Sequence, residues 1–144
     1  MACPYFYPVA RIDRGAGARA LPLGDAWSGS CEADPDRPSI PAEGALIPLC
    51  NLGYPEGCPH FPRNGAADGV RFSVSRDQNG TVRIQYVIEK AHQPVEHGPL
   101  AYSRETHSFL VRHRDRVVQK QAEAYVESYL LRKSSPTSCS SPKL

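Results

Sequence analysis

The sequence has no long apolar run. Nowhere does it approach the roughly 18 residues that a membrane-spanning helix requires. It also lacks a marked charge of either sign: seventeen basic residues face fifteen acidic ones, a formal net charge of +2, too small by itself to imply a nucleic-acid partner. The opening Met-Ala-Cys-Pro-Tyr-Phe-Tyr-Pro has neither the basic start nor the apolar helical core of a secretory signal. The expectation is therefore a reducing cytoplasm, where cysteines serve more often as metal ligands or catalysts than in disulfides. There is no internal repeat, no Ser elbow and no nucleophilic-Cys signature. Gly15-Ala-Gly17-Ala lacks the Lys-Ser/Thr ending of a phosphate loop.

What is present falls into two halves. With 144 residues, 40% hydrophobic and 22% charged, the chain has the length and composition of one globular domain. Residues 1–65 hold 10 of the 14 prolines, 8 of the 11 glycines and four of the five cysteines, Cys3, Cys31, Cys50 and Cys58. Proline removes a donor and glycine weakens element interiors, so long helices and central strands are not expected there. A short helix over 42–50, opened by Ser39 and Pro41 and interrupted by Pro48, is the exception. A long loop needs a staple, and the cysteines are the available one.

From Val70 the pattern changes. Val70, Phe72 and Val74, then Val82, Ile84, Tyr86 and Ile88, alternate with polar residues and predict two half-buried strands. Pairing Phe72 with Tyr86 and Val74 with Ile84 keeps one face apolar, and a three-residue loop with Gly80 left-handed achieves it. Leu100–Tyr102 and Ser108–Val111 predict two more strands, with the Pro-bearing segment 91–99 as a bend. A helix from about Asp115 to Arg132 carries Val117, Val118, Gln121, Ala122, Tyr125, Val126, Tyr129 and Leu130 as one stripe for the sheet. The predicted class is α+β: a cysteine-bound half (1–65) packed on a three- to four-stranded antiparallel sheet with one C-terminal helix (66–133), then a disordered Ser/Pro tail (134–144) holding the incidental Cys139.

Cys3-Pro4, Cys50-Asn51-Leu52-Gly53 and Cys58-Pro59 place turn formers beside thiols. Four thiolates are the usual ligands of an iron–sulfur cluster, and Tyr5, Phe6, Tyr7, Trp27, Tyr54 and Phe61 offer an apolar shell for one. Structural Cys₄ zinc normally uses paired C-x₂₋₄-C knuckles, which the intervals of 27, 18 and 7 residues do not form. A [4Fe–4S] cluster on the four cysteines is therefore favoured, with zinc as the alternative and buried thiols or disulfides as the readings without a metal. The corresponding functions are electron transfer or redox sensing with a protein partner, or a zinc-stapled interaction module.

Glu89, His92, Glu96 and His97 are raw material for a carboxylate–histidine site and hence for a small metal-dependent enzyme, though no tight ligand motif is present and ordinary loop polarity accounts for them more readily. His60 is a possible substitute ligand. Arg112, His113, Arg114, Arg116 and Lys120 form a basic run that enters the last helix, against its dipole, and could meet phosphate or an acidic protein. The segments Cys-Pro-Tyr-Phe-Tyr-Pro (3–8), Leu-Pro-Leu-Gly-Asp (21–25), Cys-Asn-Leu-Gly-Tyr (50–54) and Cys-Pro-His-Phe-Pro (58–62) resemble those of a group of small uncharacterised bacterial cysteine-rich proteins. That likeness implies a bacterial source, a strand-rich second half and no particular activity.

Overall fold

The computed structural model describes residues 1–15, 19–34, 36–53, 58–62 and 65–134; the tail 135–144, with Cys139, and Tyr54 lie outside them. The order is β1 (Phe6–Ile12), β2 (Ala26–Cys31), α1 (Glu43–Ala45) running into a π-helical turn (Leu46–Asn51), β3 (Gly69–Gln78), β4 (Thr81–Lys90), β5 (Gln93–Ser103), β6 (Ser108–Val111) and α2 (Arg116–Ser134). This is a mixed α+β fold with an antiparallel four-stranded sheet, β3-β4-β5-β6, and a separate β1-β2 hairpin.

The β3–β4 pairing follows the apolar alternation, with Phe72 opposite Tyr86 and Val74 opposite Ile84. The turn differs from expectation. Gln78 pairs with Thr81, so the loop is only Asn79-Gly80, both left-handed at φ 56° and 76°, as a type I′ turn demands. That turn alone would put polar groups on the apolar face. A register shift between Val74 and Arg76 absorbs the mismatch, leaving Ser75 as the extra residue of a bulge.

Two other expectations are corrected. The predicted bend over 91–99 is confined to Ala91-His92, both left-handed at φ 51° and 65°, and β5 runs straight through Pro94 and Pro99. The prolines fit because β6 pairs only with Ala101–Ser103, so the first part of β5 is an edge whose outer N–H positions need no partner. The N-terminal half, read as a long loop without long helices or central strands, forms the two-stranded β1-β2 hairpin. Its prolines and glycines are used in it: Pro8 faces Gly29 beside a register shift, and a side chain at Gly29 would strike the Tyr7 carbonyl oxygen.

α2 lies between the hairpin and the sheet. Towards the sheet, the Tyr125 ring packs on Phe72 at 5.6 Å and the Tyr129 hydroxyl donates to Asp77 at 2.6 Å. Towards the hairpin, the Gln121 amide donates to the Cys3 and Phe6 carbonyls, and Ser128 packs so closely on Gly24 that a Cβ there would collide with it. Asp115 caps the helix, its Oδ1 accepting the N–H groups of Val117 and Val118 at 2.9 and 3.1 Å. One core draws on both halves: Ala2, Phe6, Leu23, Trp27 and Cys50 from the first, Val70, Val82, Ile84, Leu100, Val118 and Val126 from the second. Each such buried aliphatic or aromatic side chain contributes about 1.5–3 kcal/mol.

Candidate metal centre

The four cysteines, spread over 55 residues of sequence, are delivered to one region by four short backbone devices. Cys3 follows Ala2, which adds to the edge of the sheet by exchanging two backbone hydrogen bonds with Val70, at 2.8 and 2.9 Å. The Cys3 N–H donates to the Cys50 carbonyl at 3.1 Å, and its own carbonyl accepts from Phe6 N–H, closing the turn that Pro4 begins. Gln121 of α2 donates to that same carbonyl at 2.7 Å. Cys31 ends β2 opposite Phe6 and exchanges both backbone bonds with Ser39, at 2.7 and 3.0 Å.

Cys50 sits in the π turn. Leu52 N–H reaches back five residues to Ile47 at 2.9 Å, a widening that also accommodates Pro48, which has no N–H to offer. The next residue, Asn51, is fully buried. Its side chain accepts from Trp27 N–H at 2.9 Å and donates to the carbonyls of Trp27 and Leu46 at 3.0 and 2.9 Å, so it copies a strand's hydrogen bonds and ties the turn to β2. Gly53, at φ 71°, passes so close to Met1 that any Cβ would hit the Met1 carbonyl. Cys58 opens a turn closed by Phe61 N–H at 3.3 Å, and the Phe61 ring stands edge-on to Tyr5, centroids 5.6 Å apart. That contact brings the Cys58 arm against the Cys3 turn.

Electrostatics show that the thiols are neighbours. Burial pushes the Cys3 thiol up to about 12; the Tyr5 N–H opposes the rise by donating to its sulfur, and the charges that Cys50, Cys31 and Cys58 would carry add to it. The Cys50 thiol is likewise pushed up to about 12, by burial first and then by Cys31 and Cys58. All four are free thiols. At neutral pH Cys3 and Cys50 are therefore protonated in the metal-free chain. Among the described residues, no three His, Cys, Asp or Glu side chains are set to hold a single metal ion.

The other candidate residues are dispersed or already engaged. Glu89 pairs with Arg71 at 3.2 Å. His60, His92 and His97 are exposed. Glu96 is the hub of a network that sequence reasoning missed. It accepts from the Tyr86 hydroxyl and from His113 Nε2, both at 2.7 Å, and from Arg114 at 2.8 and 3.2 Å. These donors, Tyr86 foremost, hold its carboxyl down to about 2. His113 Nδ1 accepts the Asp115 N–H at 2.9 Å, so the proton of the neutral ring is on Nε2, facing Glu96. Every polar atom here is matched, and the network locks the start of α2 onto β4 and β5 rather than presenting a reactive group.

The basic run likewise finds its counter-charges within the fold: Arg112 with Glu123 at 3.3 Å, Arg114 with Glu96, Arg116 with Glu32, and Lys120 with Glu123 at 3.9 Å. Arg116 also lies over the Tyr7 ring, 4.3 Å from its centroid. It is not an open cationic patch. No described helix is long and apolar enough to cross a membrane. Comparison with protein-family models, curated proteins and solved structures returned no match.

Proposed function

We propose that the chain is a cytoplasmic iron–sulfur protein whose Cys3, Cys31, Cys50 and Cys58 hold one [4Fe–4S] cluster, and that it serves in electron transfer or redox sensing with a protein partner. The feature that supports this is the convergence of four free thiols carried by four separate backbone arms, near enough to influence one another's ionisation. The donor set fits such a group. The Cys50 thiol is buried and the other three are half-buried, the Tyr5 N–H already points at the Cys3 sulfur, and hydrogen bonds to sulfur are among the factors that set a cluster's potential. Such a cluster, when bound, supplies one-electron redox chemistry. The chain's own part is to fix four ligands, exclude water with Phe6, Trp27 and the Tyr5–Phe61 pair, and leave no coordination position to substrate.

The test is iron, sulfide and zinc analysis of protein purified without oxygen. The expected result is a brown protein with about four irons and four sulfides per chain, lost on Cys3→Ser or Cys50→Ser. A colourless protein with one zinc would establish the stapled interaction module instead, and a metal-free protein indifferent to both substitutions would rule out a shared site.

A further inference from the structure

Away from the cysteines, α2 packs on one face of the four-stranded sheet, the face that carries Phe72, Ile84, Tyr86 and Leu100. The other face is turned to solvent: Arg71, Ser73, Arg83, His97 and Pro99 lie on it and are all exposed. Its charges do not cancel. Arg76 stands directly opposite Arg83, where the bulge at Ser75 sets both on the outward face. Neither guanidinium has an ion pair or a hydrogen bond among the described residues.

The nearby acids are engaged or turned away. Glu89 pairs with Arg71 at 3.2 Å. Asp77 is opposite Val82 on the α2 side, where it accepts from Arg104 and Tyr129. Glu105 belongs to the β5–β6 turn and forms no ion pair with either arginine. Like charges directly opposite one another destabilise a sheet, so the fold gains nothing from the Arg76–Arg83 pair. Across the sheet, Arg83 is followed by Ala101 and then Val111, which is 49% exposed beside Leu110 at 62%. From Arg76 to Val111, three strand spacings of about 4.8 Å make about 14 Å, the reach of about four extended residues. The aromatic side chains of these strands, Phe72, Tyr86, Tyr102 and Phe109, share the opposite face, so the outer face has no platform on which bases would stack.

We propose that the outer face of the sheet docks an extended acidic segment of a partner protein, two carboxylates meeting Arg76 and Arg83 and an aliphatic side chain lying on Ala101 and Val111. The argument is charge complementarity. Carboxylates match the planar forks of two guanidinium groups that no acid of the fold answers, and the width of the sheet sets the distance from charge to apolar anchor.

The test titrates the full chain with the peptide Asp-Ser-Asp-Thr-Ser-Thr-Leu, with the same peptide carrying Asn for Asp, with oligothymidylate and with phosphatidylserine vesicles, by calorimetry and by amide chemical shifts. The acidic peptide should saturate below about 1 mM, at least about tenfold more tightly than its Asn counterpart, and should weaken as salt is raised. The shifts should fall on β3, β4, the second half of β5 and β6. The double variant Arg76→Gln, Arg83→Thr removes a like-charged pair, so it should keep or raise the melting temperature. It should also weaken the acidic peptide by about tenfold and leave the Asn peptide unchanged. Val111→Ser should weaken both peptides. Absence of saturable binding, equal affinities for the two peptides, insensitivity to the double variant, tighter binding of the oligonucleotide or the vesicles, or a dimer that buries this face would each overturn the proposal.

Discussion

Single residues decide how the first half is held. Gln121 lies within the otherwise apolar stripe of the last helix, a visible sign that it must bond to something, though not to what. The structure answers with the Cys3 and Phe6 carbonyls, 2.7 and 2.8 Å away, more than a hundred residues upstream. Replacing it by Leu keeps the volume and leaves the Cys3 carbonyl its bond from the Phe6 N–H, but it strands the Phe6 carbonyl, at about 1–3 kcal/mol. Urea titration should show a loss on the order of 1–3 kcal/mol. Ser128 is the control. Its hydroxyl is fully buried without a partner, so Ser128→Ala should be neutral or stabilising by about 1 kcal/mol in the same titration. Equal effects from the two substitutions would show that the Gln121 bonds to the first half do not stabilise the fold. Glu96 teaches the converse lesson. Beside His92 and His97 in sequence it resembles a metal ligand, yet its partners are Tyr86, His113 and Arg114 from elsewhere in the chain.

Among the elements, turns were harder to read than strands. The apolar faces of β3 and β4 were legible to the residue, because a slip of one position would send Val82, Ile84, Tyr86 and Ile88 to solvent. The loop length was not, since a bulge at Ser75 lets a two-residue turn reach the pairing expected of three. β5 was legible only in its second half. Pro94 and Pro99 read as a bend until the short β6 shows that they lie on an edge. The Ala91-His92 turn follows from the same economy, holding two ordinary residues at positive φ. Substituting Ala91→Asn and His92→Gly, the residues a type I′ turn prefers, should raise stability by about 1–2 kcal/mol in thermal or urea unfolding. No gain would mean that the turn in solution is not of this type.

For the molecule as a whole, the thiols couple folding to pH. An unfolded cysteine ionises near 8.5, whereas Cys3 and Cys50 in the metal-free fold are pushed up to about 12. A raised acid favours the folded state only while both states are protonated. Its contribution is therefore complete below about pH 8.5 and is lost as pH rises towards about 12. Metal-free protein, kept reduced, should lose on the order of 1–2 kcal/mol per thiol between pH 8.5 and 10, a window below the Tyr129 hydroxyl, which is also pushed up to about 12. Chemical unfolding at the two pH values checks this. The Cys3→Ser, Cys50→Ser double variant should show little of the loss, and an equal loss would place its origin elsewhere.

By itself the sequence determined the class of the fold, the apolar faces of β3 and β4 and the last helix. These follow from period, composition and turn chemistry, which act over a few residues. The hairpin of β1 and β2, the placement of α2 between two layers and the gathering of the four thiols were decided only in three dimensions. Their causes are long-range: Ala2 on Val70, Asn51 on Trp27, Gln121 on Cys3 and Ser128 on Gly24. Such pairs leave no periodic trace, because each joins positions whose separation along the chain is set by loop length alone. The four cysteines were visible in the sequence, but the backbone bond that sets Cys3 beside Cys50 was not, because it joins positions 47 residues apart along the chain.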